Sequence, residues 1–331
     1  MKVLIFTSDH EDYLSDSLLH GFRNLLGENA IDFPKKESMY VGYPSLESLY
    51  GKGFTLYGTL AEFPIDRTEI TNKLAKGYFD LVVFSCIHHQ FGFYLQYVDF
   101  LDPKRTVIID GADSQNIFLY SGAYLRRPYF WFFPRLHRKH FYFKRELTPL
   151  SIRSCSYNLL PSPPKRPVLY PISFSFPEEK ISREIPPKTK MLPSHIVDPE
   201  VSEKMPGSSS EYMFSSEMDY YHDLQTSRFG ITTKRAGWDC MRHYEIAANG
   251  AVLCFRNLSD KPPTCAPHGL STGNCVQYQN ANDLFDQIGK MSEEEYQRLV
   301  QGGREWILEN TTVKRAKYVV ETVKNTVPTY P

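Results

Sequence analysis

The chain has 331 residues, a length that predicts two domains rather than one. Its 38 basic and 38 acidic residues cancel, which removes the broad positive field on which nucleic-acid binding depends, so no nucleic acid is expected among its partners. No apolar run approaches the roughly 18 residues of a membrane span, and the first apolar run is too short for a signal peptide. The six cysteines are few and scattered, as in reduced proteins. We therefore expect a cytoplasmic protein.

Alternating strand and helix patterns fill the first part of the chain. Residues 3–7, 79–85 and 106–111 are apolar runs of strand length, as expected for strands that are buried on both faces of a parallel sheet. Apolar residues at helical spacing lie between them, over 18–26 and 66–76. The second half of the chain repeats the alternation. The pattern predicts an α/β protein with parallel sheets flanked by helices, in two Rossmann-like lobes.

Polar residues follow these strands. Ligands of open parallel sheets bind beyond the carboxyl ends of the strands, so such residues are candidates for a functional site. They are Asp9, His10, His88, His89, Asp110 and Asp113. A carboxylate or an imidazole in this position can act as a general base, and each can equally be a structural group or a substrate contact. The sequence does not choose among them.

Composition divides the rest of the chain. Residues 125–147 interleave basic and aromatic side chains, which is typical of a membrane surface or an anionic groove, and equally of a joining segment whose rings pack inward. If this segment is a membrane surface, the protein would make peripheral contact with the inner membrane. We expect a first lobe over 1–150, a connector over 151–210, a second lobe over 211–312, and a final helix over 313–331 that packs back on the first lobe.

One predicted helix, over 238–248, carries a polar face. Asp239, Arg242 and Glu245 fall three residues apart and therefore share that face. A carboxylate such as Glu245 can hold a ribose diol, and a guanidinium such as that of Arg242 offers a planar fork to a diphosphate. The basic residues that precede the helix are Lys234 and Arg235. The alternative is a solvated helix face with ordinary ion pairs.

A series of short motifs surrounds this helix. Residues 227–231 read Ser-Arg-Phe-Gly-Ile, residues 242–245 read Arg-His-Tyr-Glu, and residues 247–252 read Ala-Ala-Asn-Gly-Ala-Val. The series resembles the donor-site signature of GT-B glycosyltransferases, and it is most similar to that of exostosin-like and spore-maturation-type sugar transferases. The resemblance extends over about 215–320 and is architectural over the first 115 residues.

The resemblance implies a nucleotide-sugar donor in the second lobe and a glycan, lipid-linked or protein acceptor in the first. Glu245 would bind the ribose, and the basic residues would neutralise the diphosphate without a metal or any other cofactor. The donor-binding residues so implied are Arg228, Lys234, Arg235, Asp239, Arg242, Glu245, Asn249 and Gly250. The candidates for a base that deprotonates the acceptor are Asp9, His10, Asp110 and Asp113.

Other functions stay open at this point. Many retaining GT-B enzymes carry an acid eight positions before the donor glutamate, where this chain has Gly237, so a non-catalytic binding or scaffold protein of the same shape is the main alternative. A Rossmann-like oxidoreductase is disfavoured because no GxGxxG follows the first strand. A zinc site built from Cys254, Cys265, His268 and Cys275 has the spacing of no common finger. The second lobe is short for a nucleotide-binding half, which predicts a sheet that is trimmed or partly built from the connector, where strands are expected near 168–174 and 188–196.

Overall fold

Two parallel β-sheets form the frame of the molecule. The computed structural model describes residues 1–118, 136–156 and 169–326. The first sheet has six strands in the order β2-β1-β3-β4-β5-β6, and the second has three in the order β7-β8-β9. Every strand pair is parallel, which requires a crossover between strands, and helices supply most of these crossovers. The predicted α/β class, with two lobes and a trimmed second sheet, is confirmed.

The elements have the following bounds. The strands are β1 Val3–Phe6, β2 Ala30–Phe33, β3 Leu81–Phe84, β4 Thr106–Asp110, β5 Phe141–Lys144, β6 Tyr170–Pro171, β7 Phe229–Thr232, β8 Val252–Arg256 and β9 Cys275–Tyr278. The helices are α1 Tyr13–Leu26, α2 Ile70–Ala75, α3 Ile87–Tyr97, α4 Leu136–Lys139, α5 Pro149–Ser156, α6 Pro199–Ser202, α7 Glu217–Thr226, α8 Met241–Ala248, α9 Ala281–Lys290, α10 Glu293–Glu309 and α11 Thr312–Thr326. None of the helices in these described ranges is long and apolar enough to cross a membrane.

The sheets extend beyond the predicted lobe boundaries. β6 lies in the stretch predicted as connector, so the first lobe continues past residue 150. The connector also adds an edge to the second sheet, where the N–H of Phe229 donates to the carbonyl of Met191 at 3.0 Å. Short pairings of this kind carry almost no periodic signal, so the sequence pattern does not show to which lobe each of them belongs.

The last helix returns to the first lobe. α11 packs along α1 so closely that a Cβ on Gly21 would lie 2.0 Å from the carbonyl oxygen of Thr312, so only glycine fits there. The imidazole of His20 reinforces the contact through a hydrogen bond of 2.9 Å to the Thr312 hydroxyl. The two ends of the described chain are therefore held together.

Part of the basic and aromatic segment is a buried strand. Of the predicted range 125–147, residues 125–135 lie outside the described residues. β5 supplies Phe141, Tyr142 and Phe143, which are buried in the two hydrophobic clusters on opposite faces of the first sheet. Residues 136–147 therefore provide no aromatic face for a membrane, because their rings are used in the core. The inward-packing interpretation is correct for this part.

Candidate functional site

A cleft of about 900 Å³ lies between the carboxyl ends of the two sheets. Its first-lobe wall includes Asp12, Tyr13, His88, His89 and Asp113. Its second-lobe wall includes His195, Tyr212, Arg235, Arg242 and Glu245. Both walls are therefore built where ligands of parallel α/β sheets bind. A second cavity, of about 690 Å³, lies against α10 and α11 and contains none of the residues predicted to bind the donor or to act as the base.

The segment before α8 presses against the first lobe. A Cβ on Gly237 would lie 2.5 Å from a carboxylate oxygen of Glu146 and 2.8 Å from one of Asp113. The N–H of Trp238 donates to the same Glu146 carboxylate at 2.9 Å. A side chain at residue 237 would have to displace these carboxylates, so the glycine lets the segment lie against the first lobe.

Asp239 does not share a helix face with Arg242 and Glu245, and that prediction is wrong. The helix begins at Met241, and Asp239 lies in the extended approach to it. Its carboxylate accepts hydrogen bonds from the N–H of Phe174 at 2.8 Å and from the hydroxyl of Tyr244 at 2.9 Å. Burial raises the pKa of Asp239 to about 6. The side chain therefore joins the lobes.

Arg242 carries an unpaired charge into the cleft. Its Nε and Nη1 atoms are buried and have no hydrogen-bond partner among the described residues. A guanidinium stays protonated at any physiological pH, and a buried donor without a partner costs about 1–3 kcal/mol. The arrangement is unfavourable for the empty protein and favourable for an anion that enters beside it.

Arg145 is a second cationic group at the cleft, which the sequence pattern did not single out. It follows β5 and donates from Nε to the carbonyl of Gly111 at 3.0 Å and from Nη1 to that of Asp239 at 3.0 Å. It also pairs with Asp113. The signal available in the sequence was a basic residue directly after an apolar strand, and the mixed composition of 125–147 obscured it.

Glu245 faces the cleft from the second turn of α8. Its Oε1 accepts from the hydroxyl of Thr55 at 2.7 Å and its Oε2 from that of Tyr220 at 2.8 Å. Burial raises the pKa of this carboxyl. A carboxylate can accept about four hydrogen bonds, so two positions are left for a ligand. Thr55 belongs to the first lobe, and both lobes therefore meet at Glu245.

Of the remaining predicted donor-site residues, only Arg235 is among those that line the cleft. Lys234 is exposed, with its ammonium 5.2 Å from the Trp238 ring centre. The other three lie away from the cleft wall. Arg228 pairs with Glu293 at 2.8 Å, Asn249 is buried against Gln225, and Gly250 takes a φ of +69° in the turn after α8. These contacts give Arg228, Asn249 and Gly250 structural roles, so the structure does not support them as direct donor contacts.

The predicted base candidates are also sorted by burial. Asp110 is wholly buried and accepts from Lys144 at 2.9 Å and from Tyr142 at 2.6 Å. Although burial alone would raise it, the pKa of Asp110 is held well below its ordinary value by Lys144 and His88. Asp110 is therefore shielded from an acceptor, and its burial argues against it among the candidates for the base. Asp113 lines the cleft but is paired with Arg145.

Asp9 and His10 lie outside the cleft wall. Both are exposed, and the ring of His10 stacks on that of His89, with centroids 4.2 Å apart. His89 reaches the cleft in their place. The loop after β1 extends to Asp12, which begins α1 by accepting from the N–H groups of Leu14 and Ser15, both at 3.0 Å. Asp12 is the carboxylate that the loop presents to the cleft. An aspartate directly before a helix is a typical N-cap, and this was the signal in the sequence that could have identified it.

His88 and Asp110 form a dyad at the cleft. The Nε2 of His88 lies 3.0 Å from a carboxylate oxygen of Asp110. A carboxylate in this place fixes the tautomer that carries the proton on Nε2, so Nδ1 becomes the basic nitrogen. His88 thus combines cleft exposure with a buried anionic partner.

The cysteine and histidine set does not assemble a metal site. Within the described ranges, no group of three or more His, Cys, Asp or Glu side chains is arranged to hold a metal ion. Cys254 and Cys275 are buried on neighbouring strands, while the thiol of Cys265 donates to Glu146 at 2.8 Å. The four residues considered for a zinc site therefore make separate contacts.

His243 anchors α8 to the second sheet and predicts a pH effect on stability. Its Nε2 donates to the carbonyl of Trp238 at 3.0 Å, and its Nδ1 accepts from the Thr232 hydroxyl at 2.9 Å. Burial lowers the pKa of His243 to about 3, below its ordinary 6.5. The unfolded chain therefore takes up the proton first as the pH falls below 6.5, and this removes stability.

We expect the His243→Gln variant to lack this acid sensitivity. Between pH 7 and pH 5 the wild type should lose about 2 kcal/mol of unfolding free energy more than the variant does, because each pH unit below 6.5 costs about 1.4 kcal/mol. Urea unfolding of both proteins at the two pH values measures the difference. Parallel pH curves would contradict a neutral, buried His243.

Comparison with known proteins defines the fold. Neither the protein-family models nor the curated proteins include a match to the sequence. Among solved structures, an alpha-glucosyltransferase in complex with UDP has a TM-score of 0.52 and 11% identity, covering 98% of this chain and 100% of its own. Anabaena HepE in complex with UDP and glucose has a TM-score of 0.54 and 9% identity, with coverage of 98% and 100%. A glycosyltransferase from Rickettsia africae has a TM-score of 0.51 and 10% identity, with coverage of 99% and 99%. The chain therefore has a GT-B fold.

Proposed function

We propose that the protein transfers a sugar from a nucleoside diphosphate donor to an acceptor hydroxyl of a glycan, a lipid-linked molecule or a protein. The observation that carries this proposal is the unpaired guanidinium of Arg242 beside Glu245 in a cleft between two GT-B lobes. UDP is bound by the alpha-glucosyltransferase and by HepE, which have the same fold, and this supports a nucleotide in the cleft.

The charges of the cleft suit the leaving group of such a transfer. A nucleoside diphosphate gains negative charge on its phosphate oxygens as the bond to the sugar breaks. Arg242 is placed to donate to these oxygens, Arg235 adds positive charge at the same wall, and Arg145 lines the cleft from the first lobe. Donors that are already in position cost no reorganisation when the charge develops, which is how such groups lower a barrier. We propose that arginines do this work without a metal or any other cofactor.

The donor ribose would lie at Glu245. The two acceptor positions left on this carboxylate match the two hydroxyl groups of a ribose diol. The contact from Thr55 brings the first lobe down onto the same carboxylate. Donor binding would therefore also stabilise closure of the cleft, which excludes the water that can hydrolyse the donor.

The acceptor would lie against the first lobe. His88, supported by Asp110, is the group best placed to take a proton from an acceptor hydroxyl, and Asp12 adds a carboxylate at the same wall. An alpha-glucosyltransferase has been solved with UDP and a 13-mer DNA containing an HMU base. The balanced charge of the present chain argues against such an acceptor, since DNA binding relies on a positive surface.

The second candidate is a protein that binds a nucleotide sugar without transferring it. Gly237, which leaves no carboxylate at its position, is the observation that favours it. The presence of His88 and Asp12 at the first-lobe wall favours the enzyme, because a binding protein needs no base there.

Nucleotide binding and donor turnover together test the proposal. We expect UDP or another nucleoside diphosphate at one hundred times its Kd to stabilise the protein by about 2.7 kcal/mol, whereas NAD should have no effect. We also expect slow release of the diphosphate from a matching nucleotide sugar. Stabilisation by NAD in place of a diphosphate would contradict the proposal, and binding without any release would support the non-catalytic candidate.

The Glu245→Gln variant refines this test. Glutamine keeps an acceptor for Thr55 or Tyr220 but removes the charge that strengthens the bonds to a ribose diol, so UDP should bind about tenfold more weakly. Inorganic diphosphate should bind equally well to both proteins. An unchanged affinity for UDP would remove Glu245 from the site.

A further inference from the structure

His195 lies at the second-lobe wall of the cleft with one ring nitrogen unused. Its Nδ1 is 3.0 Å from the carbonyl oxygen of Glu211, and because a carbonyl can only accept, Nδ1 carries the proton. Burial and the nearby charge of Arg242 lower the pKa of the imidazole, so the ring is neutral at pH 7. Nε2 is therefore a bare acceptor, and it is buried with no hydrogen-bond partner among the described residues.

Tyr212 provides a flat surface beside this acceptor. It is 42% exposed, lines the cleft, and contacts His195 edge to face, with ring centres 5.4 Å apart. Phe54 and Tyr220 support it, at 6.4 and 6.0 Å between ring centres. An exposed ring held in this way suits stacking of a nucleobase, since every base presents a flat π-face to an aromatic ring.

The wall continues from these rings to the proposed ribose site. Tyr220 contacts Tyr212 on one side and donates to Glu245 on the other, at 2.8 Å. A base on Tyr212 and a ribose on Glu245 would therefore be neighbours, as they are within a nucleoside. Arg242, which lies in the turn before Glu245 on α8, would follow on the phosphate side.

We propose that His195 and Tyr212 form the nucleobase subsite and that it selects a base with a ring N–H beside a carbonyl, such as uracil or guanine. This inference rests on the proposed function. The N3–H of uracil and the N1–H of guanine can donate to the bare Nε2. Cytosine and adenine present a lone pair at the corresponding ring nitrogen, which would leave two acceptors facing each other. Ser210 is exposed and lines the same wall, and its hydroxyl can donate to the carbonyl beside this ring N–H.

Titration calorimetry with UDP and N3-methyl-UDP tests the subsite on the wild-type protein. The methyl group removes the imide N–H and leaves the ribose and the diphosphate unchanged. We expect N3-methyl-UDP and CDP to bind about tenfold more weakly than UDP, the loss that follows when a buried acceptor is left unpaired. In the His195→Phe variant the three ligands should bind within about twofold of one another, because the variant has no acceptor to satisfy.

A spectroscopic measurement separates a lost hydrogen bond from a steric effect of the methyl group. In protein labelled with ¹⁵N in its histidines, UDP should move the Nε2 resonance of His195, whereas CDP and inorganic diphosphate should leave it in place. Equal binding of UDP and N3-methyl-UDP, with a fixed resonance, would overturn the subsite and leave the proposed function standing. Failure to bind any nucleoside diphosphate would overturn both.

Discussion

Replacement of Arg242 by methionine is expected to abolish nucleotide binding without unfolding the protein. The variant should bind UDP at least about a hundredfold more weakly, because two charge-assisted hydrogen bonds of about 1.5–3 kcal/mol each are lost. The free energy of unfolding should change by less than about 1 kcal/mol, because the attraction lost towards Glu245 is offset by removal of buried donors that have no partner. Calorimetry with UDP and urea unfolding without ligand measure the two effects.

The contrast with a structural arginine gives this prediction its force. Removing one member of a buried, paired set costs about 3–5 kcal/mol, so a large loss of stability in Arg242→Met would contradict an unpaired guanidinium. Arg298 is the control, since it is half exposed on α10 and away from the cleft. Arg298→Met should change neither UDP affinity nor stability. A variant of Arg242 that binds UDP normally would remove the central observation from the proposed function.

Replacement of Lys144 by methionine should have the opposite profile, with a large loss of stability. Lys144 and Asp110 are both wholly buried, and the ammonium lies 2.9 Å from the carboxylate. The variant leaves Asp110 charged and without its ammonium partner, at a cost of about 3–5 kcal/mol at pH 7. Urea unfolding measures this loss, and Lys290→Met, in an exposed pair on α9, should cost less than about 0.5 kcal/mol.

Two further measurements establish the cause of that loss. The Asp110→Asn change in the Lys144→Met background should recover part of the stability, since the unpaired charge is then gone. The loss should also shrink as the pH is lowered, because without Lys144 the carboxyl of Asp110 has a higher pKa and takes up a proton more readily. A loss that is the same at pH 7 and pH 4.5 would indicate a packing defect in place of an unpaired charge.

The architecture was predictable because its signals are local. The apolar runs that form β1, β3 and β4 predict buried strands from neighbouring residues alone. Gly237 was noted only as a missing acid, yet in the fold it lets the segment before α8 lie against Glu146 and Asp113. The helix after it was expected three residues too early, because propensity does not show that Asp239 is held by Phe174 and Tyr244.

The site was predictable only in outline. Arg242 and Glu245 were found because they sit three residues apart on one helix face. Arg145 and Asp12 were missed because they reach the cleft from a strand end and a helix cap, elements that are far apart in the chain. Asp110 lies at the predicted end of β4, but it is buried and bonded to His88 and Lys144. The sequence could not show this, because both partners come from other parts of the chain.

Two parallel α/β lobes and the pair Arg242 and Glu245 on α8 could be predicted from local patterns, because periodicity and short motifs act over neighbouring residues. Which charges have partners could be seen only in the folded molecule. Two donor atoms of Arg242 have no hydrogen-bond partner within the described ranges, whereas Arg228 pairs with Glu293, and nothing in the order of residues distinguishes the two. Pairing depends on contacts between segments that are distant in the chain, and such contacts exist only once the chain has folded.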